Sequence, residues 1–346
     1  MTRKHSTNES VTVGIVGLGR AGWGLHLEPI SKLSGFKIIA VADPLPERCQ
    51  EAADLLACET FSSIDQLLAK SDAELIVVAT PSSTHYEDSL KVLKAGRHCI
   101  TEKPMALQSA QADELVSLAA KNGLGLFVNH THLHLPTYYH LKGVIASGVL
   151  GKLFSIRVFW GSFGRRWDWQ TLKKNGGGQL NNTCPHVLSV VLPLLGSRVK
   201  RVFADLRNIK DAGDAEDHVH IVMQAESGIT ADVVVSTAMA LSGPRWMLCG
   251  SQGTLTSDGT TSKLRYFDAT KVAALDVIDA AAPGRQYQYE QLPWVEEELT
   301  AAQSPVKPFH ENILEALTQN AAPVVAPESA AEVVRVTNLI QAAAAG

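Results

Sequence analysis

Cysteine is scarce in this chain, and neither sign of charge is in excess. Five cysteines, at 49, 58, 99, 184 and 249, are scattered over 346 residues, and no C-x-x-C pair occurs. An odd, dispersed set suits neither a disulfide framework nor a zinc site, so the thiols read as reduced. Lys plus Arg number 31 against 35 Asp plus Glu, a formal net charge of −4. That balance gives no electrostatic footprint for nucleic acid or for an anionic membrane surface. No apolar run is long enough to span a bilayer. Residues 1–10 are polar and lack the apolar core of a secretory signal, so a cytoplasmic location is expected. Internal repeats and low-complexity tracts are also lacking. What remains is an ordinary globular composition, 45% hydrophobic and 19% charged, at a length that allows two domains.

The chain does have a glycine motif in an informative setting. The apolar run from Val13 to Val16 leads into Gly17–Leu18–Gly19–Arg20–Ala21–Gly22, a complete G-x-G-x-x-G. The first glycine permits a tight strand-to-helix turn, the second a close approach to a pyrophosphate, and the third close helix–strand packing. The helix N-terminus then offers free N–H groups to the anion. A second apolar run, Phe36 to Ala42, ends in Asp43, which lies 21 residues after Gly22. That is the place of the acid that hydrogen-bonds the adenine ribose. A carboxylate there repels a 2′-phosphate. Pro44, Leu45 and Pro46 supply no cation to hold one, and Arg48 reads as helix surface. NAD is therefore expected in preference to NADP.

Along the first third, strands at 11–16, 36–42, 74–79, 98–101 and 124–129 alternate with helices near 21–33, 45–57, 64–69, 84–95 and 108–121. Such alternation predicts a parallel sheet covered on both faces. A helix near 136–147 follows. Strand-like runs then dominate: 153–160, 200–207, 218–225, 229–238, 244–249, 253–256 and 264–268, with a hairpin at Glu226–Ser227–Gly228. Helices are expected at 183–195, 308–318 and 327–345, and the stretch 280–304 reads as loop. The expected architecture is an α/β Rossmann domain with a parallel sheet (residues 1–128). A C-terminal α+β domain (129–346) would carry a large, mostly antiparallel, open-faced sheet. An open sheet face must be covered, and self-association is the usual way.

Three more motifs stand in order behind the glycine turn. They are Thr80–Pro81–Ser82–Ser83–Thr84–His85, Thr101–Glu102–Lys103–Pro104, and Gly176–Gly177–Gly178–Gln179–Leu180–Asn181–Asn182–Thr183–Cys184–Pro185–His186. With them the chain resembles, over nearly its whole length, the glucose–fructose oxidoreductase / inositol dehydrogenase (Gfo/Idh/MocA) family. The resemblance implies NAD(P)-linked oxidation or reduction at a hydroxyl or carbonyl carbon of a sugar, sugar derivative or cyclitol. It also implies a homodimer or homotetramer joined through the open sheet. Thr80, Pro81, His85, Glu102 and Lys103 would lie along the cofactor. The lysine of Glu-Lys-Pro and the histidine of Asp-x-x-x-His are the family's usual catalytic groups, and Lys103 and His186 match them. The aspartate's place is taken by Asn182, a departure that puts in doubt any mechanism needing a carboxylate there.

Oxidising a secondary alcohol requires a proton acceptor and a donor or cation at the oxygen. Lys103 suits either role, since a partly desolvated lysine has a lowered pKa. His186 suits proton exchange, and an Asn at 182 cannot raise its pKa as an Asp would. If 183–195 is a helix, Asn182 and His186 share one face, and Asn182 reads either as an N-cap or as a partner for a substrate hydroxyl. The isomer of the Lys103–Pro104 bond stays open at this stage. His130, His132 and His134 would share a face if the segment were a strand. They suit a substrate wall, His130 and His132 above all, and no metal is expected, because hydride chemistry needs none. Trp169 reads equally as core or as a stacking surface, and Trp160 reads as core. Arg165 and Arg166 read as solvated or as contacts for phosphate or an acidic substrate. The leading expectation is an NAD-dependent oxidoreductase of a polyhydroxylated small molecule. A redox-assisted lyase or glycosidase with retained NAD, and a non-catalytic dinucleotide sensor, are the alternatives.

Overall fold

The computed structural model describes residues 10–241, 243–281, 287 and 289–345. Six strands, β1 (Val11–Val16), β2 (Phe36–Ala42), β3 (Glu59–Phe61), β4 (Leu75–Val78), β5 (His98–Thr101) and β6 (Leu126–Val128), form a parallel sheet in the order β3-β2-β1-β4-β5-β6. Nearly continuous apolar runs make these strands, because helices cover both faces; every residue of β4 and β6 is buried. The direction of winding reverses between β1 and β4. Ligands bind in such sheets outside the carboxyl ends of the strands at this switch point. Gly17, Asp43, Thr80, Glu102, Lys103, Asn129 and His130 each lie within two residues of a strand's carboxyl end. The topology alone therefore brings them to one edge.

Eight further strands form a second sheet: β7 (Leu153–Gly161), β8 (Val199–Arg207), β9 (His218–Ala225), β10 (Thr230–Ser236), β11 (Trp246–Gly250), β12 (Gly253–Ser257), β13 (Thr261–Tyr266) and β14 (Val295–Thr300). Their order is β14-β13-β12-β11-β7-β10-β9-β8, antiparallel except for β7 beside β10. The register explains its two faces. Ala204, Ile221, Val233, Val158, Trp246 and Ser257 form one row across the sheet, all buried on the face that the helices Pro136–Ala146, Cys184–Leu195 and Pro327–Ala345 cover. One residue further along, the row Phe203, Val222, Asp232, Arg157 and Met247 points to the other face, where Phe203 and Val222 are exposed. The last helices bind the two sheets together. Phe309 and Ile313 join the core formed by Val11, Ile15 and Phe36. Val333, Val336 and Ile340 join the core shared by Leu115, Leu126 and the second sheet.

The sequence reading of two segments needs correction. Glu59–Phe61 is a short edge strand, too exposed to show an apolar run. Val295–Thr300, expected as loop, pairs with β13 as an edge strand; its acidic run Glu296–Glu298 hides the alternation. Part of the 280–304 stretch (282–286 and 288) lies outside the described residues. The first helix also departs from a plain α-helix. Gly22–Leu27 is wound as a π-helix, with the Glu28 N–H reaching the Trp23 carbonyl. Pro29 has no N–H to give the turn before it, which favours the wider winding.

Gly22 is the tightest point of this layer, since a Cβ built there would lie 1.7 Å from the Gly17 carbonyl oxygen. The Gly22→Ala variant should lose about 3 kcal/mol or more of unfolding free energy, read from urea melts, because backbone rather than a flexible side chain must give way. A change below about 1 kcal/mol would show that the turn relaxes freely.

Candidate active site

The glycine turn fits a dinucleotide by its open space. Gly17 has φ +88°, and a Cβ on it would meet the Ala79 carbonyl at 2.6 Å; at Gly19 a Cβ would meet nothing within 4 Å. The turn is thus closed on its protein side by the first glycine and open at the second, where a pyrophosphate would approach. Arg20 is exposed and Ala21 directly precedes the π-wound segment. Asp43 Oδ2 accepts from the Leu18 N–H at 2.7 Å and Oδ1 from the Leu45 N–H at 2.9 Å. The carboxylate therefore locks the turn and retains lone pairs for ribose hydroxyls. Arg48 is not simply helix surface: its Nη1 reaches Asp43 Oδ2 at 3.4 Å.

Behind the turn, the loop after β4 is strapped to the lysine motif. His85 is buried, with Nδ1 2.7 Å from the Pro104 carbonyl and Nε2 2.8 Å from the Thr80 carbonyl. Burial pushes its pKa down, against the two carbonyls that favour a protonated ring. The Thr80 hydroxyl donates to Asp88, and the Pro81 carbonyl accepts from the Thr84 N–H, so the loop is held on both sides. The Lys103–Pro104 bond is cis.

Glu102, expected along the cofactor, faces inward instead. Its Oε1 accepts from Asn129 Nδ2 at 2.6 Å and lies 2.9 Å from His26 Nε2. His26 Nδ1 lies 3.1 Å from His310 Nε2. A carboxylate only accepts, so His26 Nε2 carries hydrogen; a neutral His26 then accepts at Nδ1 from the His310 Nε2–H. Burial alone would raise the Glu102 carboxyl, but His26, the Lys103 charge and the Asn129 amide hold it well below the usual range. Burial first, with the neighbouring His26 as a smaller cause, takes His310 down to about 3.

Lys103 lies beside this network, on its solvent side. Its Nζ donates to the Asn182 carbonyl at 2.7 Å and to Asn182 Oδ1 at 3.3 Å. The Asn182 amide also exchanges hydrogen bonds with Gln170, Nδ2 to Oε1 at 3.3 Å and Nε2 to Oδ1 at 3.4 Å. The triple glycine makes this possible: a Cβ on Gly177 would lie 2.2 Å from the Gln170 carbonyl. Burial lowers the Lys103 pKa, aided by Arg20 and opposed by Glu102.

Around the amine stand three imidazoles. The His132 and His186 rings are 4.4 Å apart between centroids, and the Nδ1 atoms of His130, His132 and His186 are buried with no hydrogen-bond partner. Burial first, then the Lys103 charge, brings His130 to about 3 and His186 to about 2; burial, Arg245 and Lys103 bring His132 to about 4. Buried polar atoms left without partners mark a place that a polar ligand completes. Among the described residues, no group of His, Cys, Asp and Glu is placed to hold a metal.

Several sequence expectations are corrected here. Asn182 is no N-cap: it ends the short helix Gln179–Asn182, and Thr183 precedes Cys184–Leu195, so Asn182 and His186 do not share one continuous helix. Residues Thr131–His134 form a 3₁₀ turn, not a strand. His134 consequently turns away, to the Lys307 carbonyl and the Phe309 ring. Trp160 is half-buried and packs edge-on to His132, with Arg245 over its ring at 3.6 Å. Trp169 is exposed and lies next to Gln170 in a 3₁₀ turn, Trp169–Thr171. Arg166 is committed to Asp168 and Gln170. His26, His310, Gln170 and Arg245 were not legible as site residues, because each reaches the site from a distant segment.

A dinucleotide turn, a lysine at the carboxyl edge of the parallel sheet and a wall of neutral imidazoles define a nicotinamide-dependent oxidoreductase. Known proteins agree. Residues 11–130 match the family described as "Oxidoreductase family, NAD-binding Rossmann fold", and 138–256 match the GFO/IDH/MocA C-terminal domain. The chain belongs to the Gfo/Idh/MocA family of oxidoreductases. It is 30% identical over 221 residues to 2,7-anhydro-N-acetylneuraminate hydratase of Mediterraneibacter gnavus, a stretch covering 62% of this chain and 58% of that protein. It is 23% identical to the scyllo-inositol 2-dehydrogenase (NADP(+)) IolW of Bacillus subtilis, over 74% of this chain and 72% of that one. In fold it is similar to an NAD-binding protein from Listeria innocua (TM-score 0.81, 24% identity, 97% and 95% covered). The fold is also shared with the WlbA dehydrogenase of Bordetella pertussis, solved with NADH and UDP-GlcNAcA (TM-score 0.76, 20% identity, 99% and 97% covered).

The depressed histidines carry a stability signature. His130 and His310 are neutral in the fold and titrate near 6.5 when unfolded, so their contribution is complete above pH 6.5 and is lost as pH falls toward 3. Each should add about 1.4 kcal/mol per pH unit to the slope of unfolding free energy in that window. His310→Gln should flatten the slope by that amount; an unchanged slope in denaturant titrations between pH 6 and 4 would contradict the assignment.

Proposed function

We propose that the protein transfers a hydride between NAD and a hydroxyl or carbonyl carbon of a sugar, sugar acid or cyclitol. The observation that carries this is the Lys103 amine, held on Asn182 beside three buried imidazole nitrogens that lack partners. The nicotinamide, when bound, supplies the hydride acceptor or donor. Gly17, Leu18, Gly19, Arg20, Ala21 and Gly22 would frame the pyrophosphate, and Asp43 the ribose. NAD is favoured over NADP because the Asp43 carboxylate faces the ribose position and already engages the nearby Arg48. Lys103 acts as proton acceptor from the substrate hydroxyl. Burial brings it down from the ordinary lysine range toward working pH, whereas His186 at about 2 is too weak a base. His186, His132 and His130 stay neutral and hold hydroxyls. Asn182 fixes the amine in place of the absent carboxylate. The outer face of the second sheet, with Phe203 and Val222 exposed, is read as the contact between copies in a homodimer or homotetramer.

A second reading has one specific support. Two relatives, from M. gnavus and Escherichia coli, are named 2,7-anhydro-N-acetylneuraminate hydratase. On that reading the cofactor is retained and the net reaction involves no redox change.

A panel of sugars, sugar acids and cyclitols with NAD or NADP separates the two by absorbance of the reduced cofactor and by product analysis. Net reduction of NAD supports the dehydrogenase; product without net reduction supports the second reading. For oxidation, kcat/KM should rise with pH through a pKa below 10.5, because Lys103 must be neutral to accept a proton. Lys103→Met should cost about 10²–10⁴-fold and remove that limb. His186→Asn should lower the rate and leave the limb where it is. A limb that moves with His186 instead would reverse the assignment of base.

A further inference from the structure

Arg245 holds an unusual position for a guanidinium. It is half-buried, and its Cζ lies 3.6 Å from the centre of the Trp160 ring. Trp160 packs against His132, 5.3 Å between centroids, and His132 against His186. Arg245 therefore stands at the end of an aromatic row that starts at the site of chemistry. Among the described residues it has neither an ion pair nor a side-chain hydrogen bond. Asp258 acts on it electrostatically but forms no ion pair with it, its carboxylate instead accepting from the Thr260 and Thr261 N–H groups and the Thr261 hydroxyl. Arg165 and Arg166 are no substitute, since Arg165 is exposed and Arg166 is committed to Asp168 and Gln170.

An unpaired guanidinium at a half-buried wall keeps five N–H donors in a planar fork that matches a carboxylate edge-on. Stacking on Trp160 fixes the plane of that fork and leaves its edge free. We propose that Arg245 is a specificity-determining residue that receives a carboxylate of the substrate, so that within the sugar-like class the enzyme selects sugar acids over neutral sugars. The inference rests on the function proposed above and narrows its substrate class. A single positive charge, with no second cation paired to it, suits a monoanionic carboxylate better than a phosphate dianion.

The test measures binding rather than turnover, so that it stands apart from the chemistry. NAD-loaded protein is titrated by calorimetry with glucuronate against glucose, galacturonate against galactose, and gluconate against sorbitol. At least one acid should bind about tenfold or more tightly than its neutral counterpart. Arg245→Gln should abolish that preference with NAD affinity unchanged. Arg245→Lys, which keeps the charge and loses the fork, should retain part of it. Lys103→Met should keep the preference although its chemistry is lost; in the unsubstituted enzyme, absence of turnover while the preference persists would count against the hydride-transfer reading alone. The inference is overturned if no acid outbinds its neutral partner, if Arg245→Gln keeps the preference, or if glucose 6-phosphate outbinds every acid through Arg245.

Discussion

The Glu102 carboxylate is shared by segments far apart in the chain, and the position of Lys103 depends on it. Glu102 follows β5, and its oxygens are met by Asn129 after β6, by His26 on the helix that follows the glycine turn, and by its own neighbour's N–H at Lys103. Through His26 the network reaches His310, on the helix that closes against the first sheet. A buried charge is tolerated only when it is fully hydrogen-bonded. The four segments must therefore be in place together for any of them to be stable there. This couples the dinucleotide turn, the lysine and the C-terminal helix through hydrogen bonds.

The cofactor side and the substrate side are built on different principles. The cofactor side is local: a short turn, one acid at the next strand end, and backbone groups that need only the right glycines. The substrate side is assembled from long-range contacts. Lys103 meets Asn182, Asn182 meets Gln170, and His132 meets both His186 and Trp160. Its imidazoles are neutral because they are buried near a cation, and their free nitrogens are the polar surface offered to a polar ligand. Arg245 adds a cation at the end of that wall that has no ion pair among the described residues.

This difference explains what could be read from the sequence. The parallel sheet, its order of strands and helices, the glycine turn, Asp43 and Lys103 are legible because each depends on residues within one βα unit. The mostly antiparallel second sheet is legible from its alternation, apart from an edge strand masked by glutamates. Asn182 reads in sequence either as a cap or as a substrate partner, and the short helix Gln179–Asn182 that removes the cap reading carries no signal of its own before Thr183. His134 was grouped with His130 and His132 by a period of two, and a 3₁₀ turn separates it from them. The family resemblance placed Glu102 along the cofactor, whereas its side chain turns inward to His26 and Asn129, as adjacent residues leaving a strand point to opposite sides. Arg245, His26 and His310 carry no local signal at all.

The claim on which the rest turns is that burial beside an anchored carboxylate sets the state of the Lys103 amine. The direct measurement is the titration of that amine by NMR of ¹³C-labelled lysine in the apo protein, assigned with Lys103→Arg. The account predicts a Lys103 pKa below the ordinary 10.5, and a further fall in Glu102→Gln, since the Glu102 charge opposes the effect of burial. A Lys103 that titrates at or above 10.5, or that is indifferent to Glu102→Gln, would contradict it.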